Sequence, residues 1–188
     1  MKIVDEKLNG LLLLQPAMFG DARGYFYESF HLTRYAEFGI TDSFVQDNIS
    51  KSVKNTLRGL HYQVGNAAQG KLVQVLSGKV LDVAVDIRFG SPSFGKYYAA
   101  EISEKNHHQL WIPPGFAHGF SVLSDEAIFS YKCTALYSKN DERTILYNDS
   151  DLNIDWKISS LPLLSPKDLL GKKFSEIEKD FNYNMEVL

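Results

Sequence analysis

Five side chains that can bind anions or transfer protons occur in stretches that otherwise read as strands of a β-sheet. They are Arg58 and His61 in LRGLHYQ (57–63), Lys71, His118 and Tyr131. A cation can hold a phosphate, and an imidazole exchanges protons near neutral pH. Polar groups inside a sheet protein are costly unless they are paired. Several of them together therefore predict a pocket rather than isolated core positions.

Arg58 and His61 lie three residues apart, so strict alternation along a strand would place them on opposite faces. Gly59 stands between them, and glycine inside a strand often marks a bulge. We expect a bulge at Gly59 that turns both side chains inward. Alternation groups two of the other three candidates with apolar neighbours, Lys71 with Val73 and Val75, and Tyr131 with Phe129 and Cys133.

Two patterns that would indicate other chemistry are incomplete. GNAAQGKL (65–72) nearly matches a phosphate-binding loop, but Leu72 replaces the magnesium-binding hydroxyl, and a strand follows where that motif needs a helix. PPGFAH (113–118) resembles the second half of the cupin pattern, whose first half supplies two histidines and a glutamate to a metal. His61-Tyr62-Gln63 stands there instead, so one imidazole is missing. We expect no metal, and a metal-dependent cupin enzyme stays an alternative that metal analysis would test.

Length and composition restrict the class of protein. The chain has 188 residues, 44% of them hydrophobic, which predicts one domain over 1–188 with a full core. A net charge of −3 indicates neither a nucleic-acid partner nor binding to an anionic membrane. The only cysteine, Cys133, fits a reducing compartment. Neither a signal peptide nor a membrane-spanning run is recognisable, so we expect a cytoplasmic protein.

The elements that must position the pocket residues read as short strands. KLVQVL and KVLDVAVDIR flank Ser77-Gly78, which predicts a β-hairpin over 71–88. Turn signals recur at 90–92, 113–115 and 124–125, with the apolar stretches 97–102, 118–123 and 127–137 between them. Many short strands at this spacing predict an antiparallel sandwich or barrel.

Helices are few in this prediction. HLTRYAEFG (31–39) predicts two turns that end at Gly39. Ser165-Pro166 reads as an N-cap followed by proline at the first helical position, and Asp168 has the spacing of a capping box. SEIEKDF (175–181) predicts one more short helix. We therefore expect a C-terminal helical segment over 164–188.

A set of motifs in a fixed order resembles one enzyme family. The chain is similar to the dTDP-4-dehydrorhamnose 3,5-epimerases over nearly all of residues 3–170. The resemblance implies a mainly β, cupin-like double-stranded antiparallel β-barrel (jelly roll) with a few short helices. The motifs are FGDARGYFYESF (19–30), FVQDNISKS (44–52), LRGLHYQ (57–63), AQGKLVQVLSGKVLDVAVDIR (68–88), SPSFG (91–95), WIPPGFAHGFSVLS (111–124), YKCTALY (131–137) and LSPKD (164–168).

The resemblance implies a role for each reacting group. In such enzymes a ketone at C4 of a nucleotide-linked sugar acidifies the hydrogens on C3 and C5, so no cofactor is needed. His61 matches the base and Tyr131 the acid. Asp168 matches the aspartate that hydrogen-bonds the base, which fixes its tautomer. Lys71 matches a cation beside the developing enolate oxygen.

The resemblance also implies the residues that bind the dTDP-linked 4-keto-6-deoxy sugar. Arg23, Gln46, Asn48 and Arg58 match positions at the diphosphate or nucleotide, and Phe26 and Glu28 match positions near the thymine. Glu142, Lys167 and His118 match further ligand contacts. Family members are dimers in which the thymine-side residues come from the other subunit. We therefore expect a homodimer, with the segment 1–30 exchanged across its interface.

Three alternatives stay open on the residues alone. A relative that inverts only one carbon, or that uses another nucleotide or sugar, would carry the same acid and base. A protein of a different class, a non-catalytic sugar-binding barrel, is the next alternative, although such a protein would not need His61 and Tyr131. Asp168 could also serve only as a helix cap. Tyr147 stands where the family often has tryptophan, which leaves the exact shape of the sugar pocket undetermined.

Overall fold

The computed structural model describes residues 1–183 and is built mainly from antiparallel strands. Two short helices, α1 (Leu32–Ala36) and α2 (Pro166–Leu169), and two 3₁₀ turns, Gly65–Ala67 and Phe174–Glu176, accompany them. The strands are β1 (Lys2–Asp5), β2 (Leu12–Gln15), β3 (Phe19–Asp21), β4 (Gly24–Phe26), β5 (Gln46–Val53), β6 (Leu57–Gln63), β7 (Lys71–Ser77), β8 (Lys79–Asp86), β9 (Tyr97–Ser103), β10 (Gln109–Ile112), β11 (Phe116–Val122), β12 (Glu126–Cys133) and β13 (Glu142–Thr144).

The strands form two sheets and a separate hairpin. The larger sheet has the order β1-β2-β10-β7-β12-β5, and the smaller one has the order β13-β6-β11-β8-β9. Among the strands of residues 1–183, β3 and β4 pair only with each other. Neighbouring strands run antiparallel in every pair, and strands close in sequence are often far apart in a sheet, as in a jelly roll. The predicted cupin-like barrel is confirmed.

Apolar side chains on the facing sides of the two sheets form the main core. Val73 and Val75 of β7 pack with Val80 and Ala84 of β8, and Phe129 of β12 joins the same cluster. A second cluster covers the outer side of the smaller sheet, where Trp156 and the C-terminal segment pack on β8. Strand β8 is thus buried on both of its faces, which explains why residues on either side of Asp82 are apolar without alternation.

The predicted hairpin over 71–88 is wrong. Both strands exist, but β7 lies in the larger sheet and β8 in the smaller one. Ser77 pairs with Ile128 of β12, whereas Lys79 pairs with Ser103 of β9. Gly78, at φ +80°, turns the chain from one sheet to the other. A tight turn in the sequence does not reveal this, because the same two residues can close a hairpin or turn a corner between facing sheets.

The two predicted helix signals at 31–39 and 165–166 are confirmed. Helix α1 ends at Ala36, and the chain continues in a turn to Gly39, which has φ +80°. Helix α2 begins after Ser165 as its N-cap, with Pro166 in its first turn. None of the helices in residues 1–183 has both the length and the apolar character needed to cross a membrane.

The C-terminal segment, predicted to be helical over 164–188, is mostly not helical where it is described. Beyond α2 it contains one 3₁₀ turn, Phe174–Glu176, in place of the helix expected over 175–181. Phe181 accepts a hydrogen bond from the backbone of Phe89, and Ile177 and Phe181 pack on the outer cluster of the smaller sheet. Tertiary contacts therefore outweigh a helical spacing of apolar residues. Residues 184–188 lie outside the described part.

Candidate active site

Two adjoining cavities, each of about 150 Å³, open between the sheets and share their central residues. His61, Lys71, Tyr131 and Lys167 line both. The first cavity adds Arg58, His118, Asp168, Ser165, Ser50, Phe120 and Phe129. The second adds Gln46, Asn48, Glu142, Tyr137, Tyr62, Gln63 and Gln69. All five residues that opened the sequence analysis therefore meet in one place.

A bulge in β6 lets two side chains of that strand enter the cavity. His61 pairs with His118 of β11, and Arg58 pairs with Phe120, so that two residues of β6 oppose only Gly119. Gly59 has φ +133°, a conformation that L side chains rarely adopt. The predicted bulge at Gly59 is confirmed. It explains how Arg58 and His61, which are three residues apart, can both line the first cavity.

Gly59→Ala is expected to destabilise the protein and to lower activity. A Cβ at this position would lie 2.4 Å from the Cα of Gly119 and would add strain at positive φ. Both effects act on rigid backbone, so we expect a loss of about 2–4 kcal/mol in the free energy of unfolding. Urea denaturation measures it. Gly24→Ala, in the exposed β3–β4 hairpin, is the control, because Gly24 also has a positive φ, +129°, but open space at its Cβ. It therefore carries the backbone strain without the clash, and an equal loss there would contradict the role given to the contact with Gly119.

His61 and Asp168 form a short hydrogen-bonded pair. The Nε2 atom of His61 lies 2.6 Å from Oδ1 of Asp168, whose side chain is almost fully buried. Burial lowers the pKa of His61 below its usual value, although Asp168 opposes this shift. Burial would raise the pKa of Asp168, but hydrogen bonds from His61 and Ser165 hold it at about 2. A neutral imidazole beside a permanent carboxylate is thus the expected state at neutral pH.

Asp168 both caps helix α2 and holds the imidazole. Its Oδ2 atom accepts hydrogen bonds from the backbone N–H and the hydroxyl of Ser165, which is the predicted capping box. Its Oδ1 atom faces His61 and also accepts a bond from the N–H of Gly59. The helix start therefore fixes the carboxylate, and the carboxylate fixes the ring.

Lys71 and Tyr131 come from neighbouring strands of the larger sheet and point into the same cavities. The predicted inward direction of both is confirmed. Burial lowers the pKa of the Lys71 ammonium, an effect that nearby acidic groups, including Asp82, oppose. Burial raises the pKa of the Tyr131 phenol, so it carries its proton at neutral pH. The cavity thus contains a cation, Lys71, and a proton donor, Tyr131, on the sheet that faces His61.

A second histidine–carboxylate pair lies at the base of the cavity. The Nε2 atom of His118 is 3.0 Å from both carboxylate oxygens of Asp82. Asp82 is fully buried on β8, among apolar neighbours. His118 was predicted from the sequence and Asp82 was not, although an aspartate inside the apolar stretch KVLDVAVD is a visible signal of a buried polar contact.

The predicted nucleotide-side residues line the inner face of β5 and the cavity mouth. Gln46 donates to the side chain of Asn48 at 3.0 Å, and both line the second cavity. The guanidinium Nε of Arg58 is held by the hydroxyl of Ser52 at 3.0 Å. At the mouth, Lys167 donates to Glu142 at 2.7 Å. Two further residues that the sequence analysis missed, Ser52 and Tyr137, belong to this region, and nothing in their spacing marked them.

Three predicted binding residues lie away from the cavities within this chain. Arg23 and Phe26 belong to the exposed β3–β4 hairpin, where the Phe26 side chain is 63% exposed. Arg23 pairs with Asp21, and Glu28 forms an ion pair with Arg34 beside α1. None of the three lines either of the two central cavities. Within residues 1–183, no group of three or more His, Cys, Asp or Glu side chains is placed to hold a metal ion.

Comparison with known proteins assigns this site to a family. Residues 5–176 match the family model of dTDP-4-dehydrorhamnose 3,5-epimerase. The enzyme of that name from Shigella flexneri is 51% identical over 95% of this chain and 98% of its own length. The chain belongs to the dTDP-4-dehydrorhamnose 3,5-epimerase family. Its members are isomerases. His61, Lys71 and Tyr131, which the resemblance matches to reacting groups, line one cavity of this chain.

Solved structures agree with this assignment to the epimerase family. The dTDP-6-deoxy-D-glucose-3,5-epimerase from Legionella pneumophila, solved in complex with dTDP-4-keto-L-rhamnose, has 50% sequence identity and a TM-score of 0.94, covering 97% of this chain and 98% of that one. A more distant relative, the dTDP-4-dehydrorhamnose 3-epimerase of Streptomyces niveus, is 34% identical over 86% of this chain and 78% of its own length. Proteins named 3-epimerase and 3,5-epimerase are thus both similar to this chain.

Proposed function

We propose that the protein inverts C3 and C5 of dTDP-4-keto-6-deoxy-D-glucose and so forms dTDP-4-keto-L-rhamnose, a step in dTDP-rhamnose synthesis. The observation that carries this proposal is the His61–Asp168 pair at 2.6 Å, which faces Tyr131 and Lys71 across one cavity. The identity of about half of all residues with 3,5-epimerases supports two inversions over one. The reaction uses no cofactor, because the ketone of the substrate is itself the electron sink.

In the first half of each inversion, His61 removes a proton from the carbon beside the ketone. Because Asp168 accepts the hydrogen on Nε2, the Nδ1 atom keeps its lone pair and takes that proton. Asp168 then stabilises the imidazolium that forms. The electron pair of the broken C–H bond moves to the ketone oxygen, giving an enolate, and the half-buried Lys71 ammonium at the cavity wall stabilises the new charge.

In the second half, Tyr131 donates its proton to the opposite face of the same carbon. The phenol is protonated at neutral pH, because burial raises its pKa. Donation from the face opposite the base inverts the centre, the C–H bond re-forms, and the ketone is restored. The resulting imidazolium and tyrosinate return to their starting states by exchange with water, and the same two groups then act on the second carbon.

Tyr131→Phe is expected to separate exchange from inversion. The variant keeps the base and Lys71, so the enolate still forms and C–H hydrogen still exchanges with solvent. Loss of the acid should lower the rate of inversion by about 10²–10³-fold. NMR in deuterated water follows both rates in one sample. Equal loss of exchange and inversion would show instead that Tyr131 positions the substrate. Tyr97→Phe, outside both cavities, serves as the control.

The value of kcat/KM for epimerisation should fall as the pH is lowered only at pH values below 6.5, the usual pKa of histidine. His61 must be neutral to act as a base, and burial lowers its pKa from 6.5. The fraction of active base therefore stays high at pH 6.5 and declines as the pH drops through the lowered value. A profile of kcat/KM against pH, taken over the range in which the fold is stable, measures this limb. A limb centred above 6.5 would contradict the state that we assign to His61.

The nucleotide half of the substrate is proposed to lie along β5 and the cavity mouth. Arg58 reaches the first cavity with its Nε already held by Ser52, so its remaining N–H groups are free to bind phosphate oxygens. Gln46 and Asn48 line the adjoining cavity with Glu142 and Lys167, which places polar groups on the route from the diphosphate to the base. His118 contributes to the sugar side of the site.

We also propose that the enzyme works as a homodimer in which the segment 1–30 completes the partner's site. Arg23 and Phe26 are exposed in a hairpin that pairs with no other strand in the described part of the chain, and β5 is an edge strand with Ile49 71% exposed on its outer face. A second copy would cover this edge and give the hairpin a site to bind. Light scattering should give twice the mass of 21.3 kDa. A monomer that is fully active would contradict the exchange.

The cytoplasm is the proposed compartment of the reaction. Cys133 is the only cysteine of the chain, and it is a buried free thiol next to the cavity wall. Its side chain accepts a hydrogen bond from Asn48, one of the proposed nucleotide contacts. A free thiol at that position is kept reduced in a cytoplasmic redox environment.

The product distinguishes the proposed double inversion from its alternatives. Purified protein is incubated with dTDP-4-keto-6-deoxy-D-glucose, and the product is assigned from its proton coupling constants. Inversion at both C3 and C5 is the expected result. Inversion at one carbon would make the protein a mono-epimerase, like the relative named a 3-epimerase. No conversion by a protein that binds the nucleotide sugar would indicate a non-catalytic barrel.

A further inference from the structure

The hydroxyl of Ser50 is the unusual member of a polar row on β5. Inward-facing side chains alternate along this strand, and three of the four have partners. Gln46 bonds Asn48, Asn48 also donates to Cys133, and Ser52 holds Arg58. The Oγ atom of Ser50 is buried and has no hydrogen-bond partner among residues 1–183.

Ser50 lies beside the reacting groups. It lines the first cavity, which also contains His61 and Tyr131, whereas its neighbour Asn48 lines the second. In the sheet, Ser50 pairs with Phe129 of β12, next to the pair formed by Asn48 and Tyr131. Ser50 thus belongs to the wall of the first cavity and neighbours, on the same face of β5, Ser52, which holds the Arg58 guanidinium.

A buried hydroxyl without a partner destabilises the free protein, because its hydrogen bonds to water are lost and not replaced. Apolar packing against Phe129 does not require oxygen at this position, so alanine would serve the fold better. A hydroxyl at the wall of a cavity gains its partner when a ligand brings a polar atom. The sugar diphosphate carries such atoms at its ring hydroxyls, at its ketone and at its phosphates.

We propose that Ser50 is a substrate-binding residue whose hydroxyl hydrogen-bonds an oxygen of the bound sugar diphosphate. The partner is either an oxygen of the sugar or a phosphate oxygen near Arg58. This assignment rests on the proposed function, because it takes the nucleotide sugar as the occupant of the cavity. The Ser50 hydroxyl would be a neutral contact, in addition to the acid, the base and the cationic groups. It would help to orient the substrate between the acid and the base.

Ser50→Ala tests the proposal, with Ser130→Ala as the matched control. Ser130 lies on the adjacent strand β12 and pairs with the outward-facing Ile49, so it makes no contact with the cavity. Titration calorimetry with dTDP-glucose and with dTDP gives two dissociation constants for each protein. We expect Ser50→Ala to bind dTDP-glucose about tenfold more weakly, as for the loss of one hydrogen bond. The control should bind like the wild type.

The two ligands separate the two possible partners. An equal weakening for dTDP would assign a phosphate oxygen, and unchanged binding of dTDP would assign an oxygen of the sugar. The melting temperature of the free Ser50→Ala protein should equal or exceed that of the wild type, because no internal bond is lost. A clearly lower melting temperature would show that the hydroxyl has a structural partner, and would overturn the proposal.

The same experiments distinguish failure of this inference from failure of the proposed function. Wild-type protein that converts the keto sugar, together with a Ser50→Ala variant that binds both ligands as tightly as the wild type, overturns the role of Ser50 alone. Wild-type protein that binds neither ligand overturns the proposed function, and the role of Ser50 with it.

Discussion

His61→Ala is expected to abolish hydrogen exchange at both C3 and C5 and to lower turnover by about 10⁴-fold or more. In the proposed mechanism one imidazole removes both protons, so its loss should affect the two carbons alike. Alanine leaves Arg58 and the row on β5 in place, and nucleotide binding should change little. Exchange is measured by NMR in deuterated water, and binding of dTDP by calorimetry.

The control for this substitution is His108→Ala. His108 lies in the loop before β10 and lines neither central cavity, so its removal should leave turnover unchanged. Exchange that persists at one carbon in His61→Ala would mean that a second base acts there, with His118 as the next candidate in the cavity. Exchange that persists at both carbons would mean that the base is misassigned.

Asp168→Asn should lower kcat by about 10³–10⁴-fold while the protein still folds. An amide can donate a hydrogen bond to Nε2 of His61 and so favour the tautomer with its proton on Nδ1, where the lone pair is needed. The negative charge that stabilises the imidazolium is also lost. Because Asp168 raises the pKa of His61, the acid limb of the residual activity should move to lower pH.

Ser165→Ala separates the two roles of Asp168. This variant removes a hydroxyl of the capping box but keeps the carboxylate beside His61. It should lower the free energy of unfolding by about 1 kcal/mol and leave the acid limb near its wild-type position. If Ser165→Ala lost as much kcat as Asp168→Asn with no shift in the pH profile, the carboxylate would act only as a cap.

The sequence indicated the centre of the site well because its chemistry is carried by strands. Lys71 and Tyr131 follow simple alternation, and Gly59 supplied a physical reason for Arg58 and His61 to face the same way. The capping box around Asp168 was visible as a local spacing. Such features depend on residues near each other in the chain, and local rules determine them.

Features that depend on long-range packing were not predictable in the same way. The turn at Gly78 reads as a hairpin, yet the flanking strands pair with β12 and β9 in different sheets. Residues 175–181 have helical spacing, but Ile177 and Phe181 pack without a helix on the smaller sheet. The contact of Asp82 is visible only in the folded protein, where β11 places His118 beside it. Each outcome depends on which strands become neighbours, and the sequence does not state that order.

In the proposed mechanism, one base and one acid act on both carbons next to the ketone. The most direct test is proton NMR of dTDP-4-keto-6-deoxy-D-glucose with the wild-type protein in deuterated water. We expect enzyme-dependent deuterium at both C3 and C5, together with inversion at both. Deuterium at one carbon only, or at neither, in a sample in which the substrate is bound to the active site, would contradict the proposed mechanism.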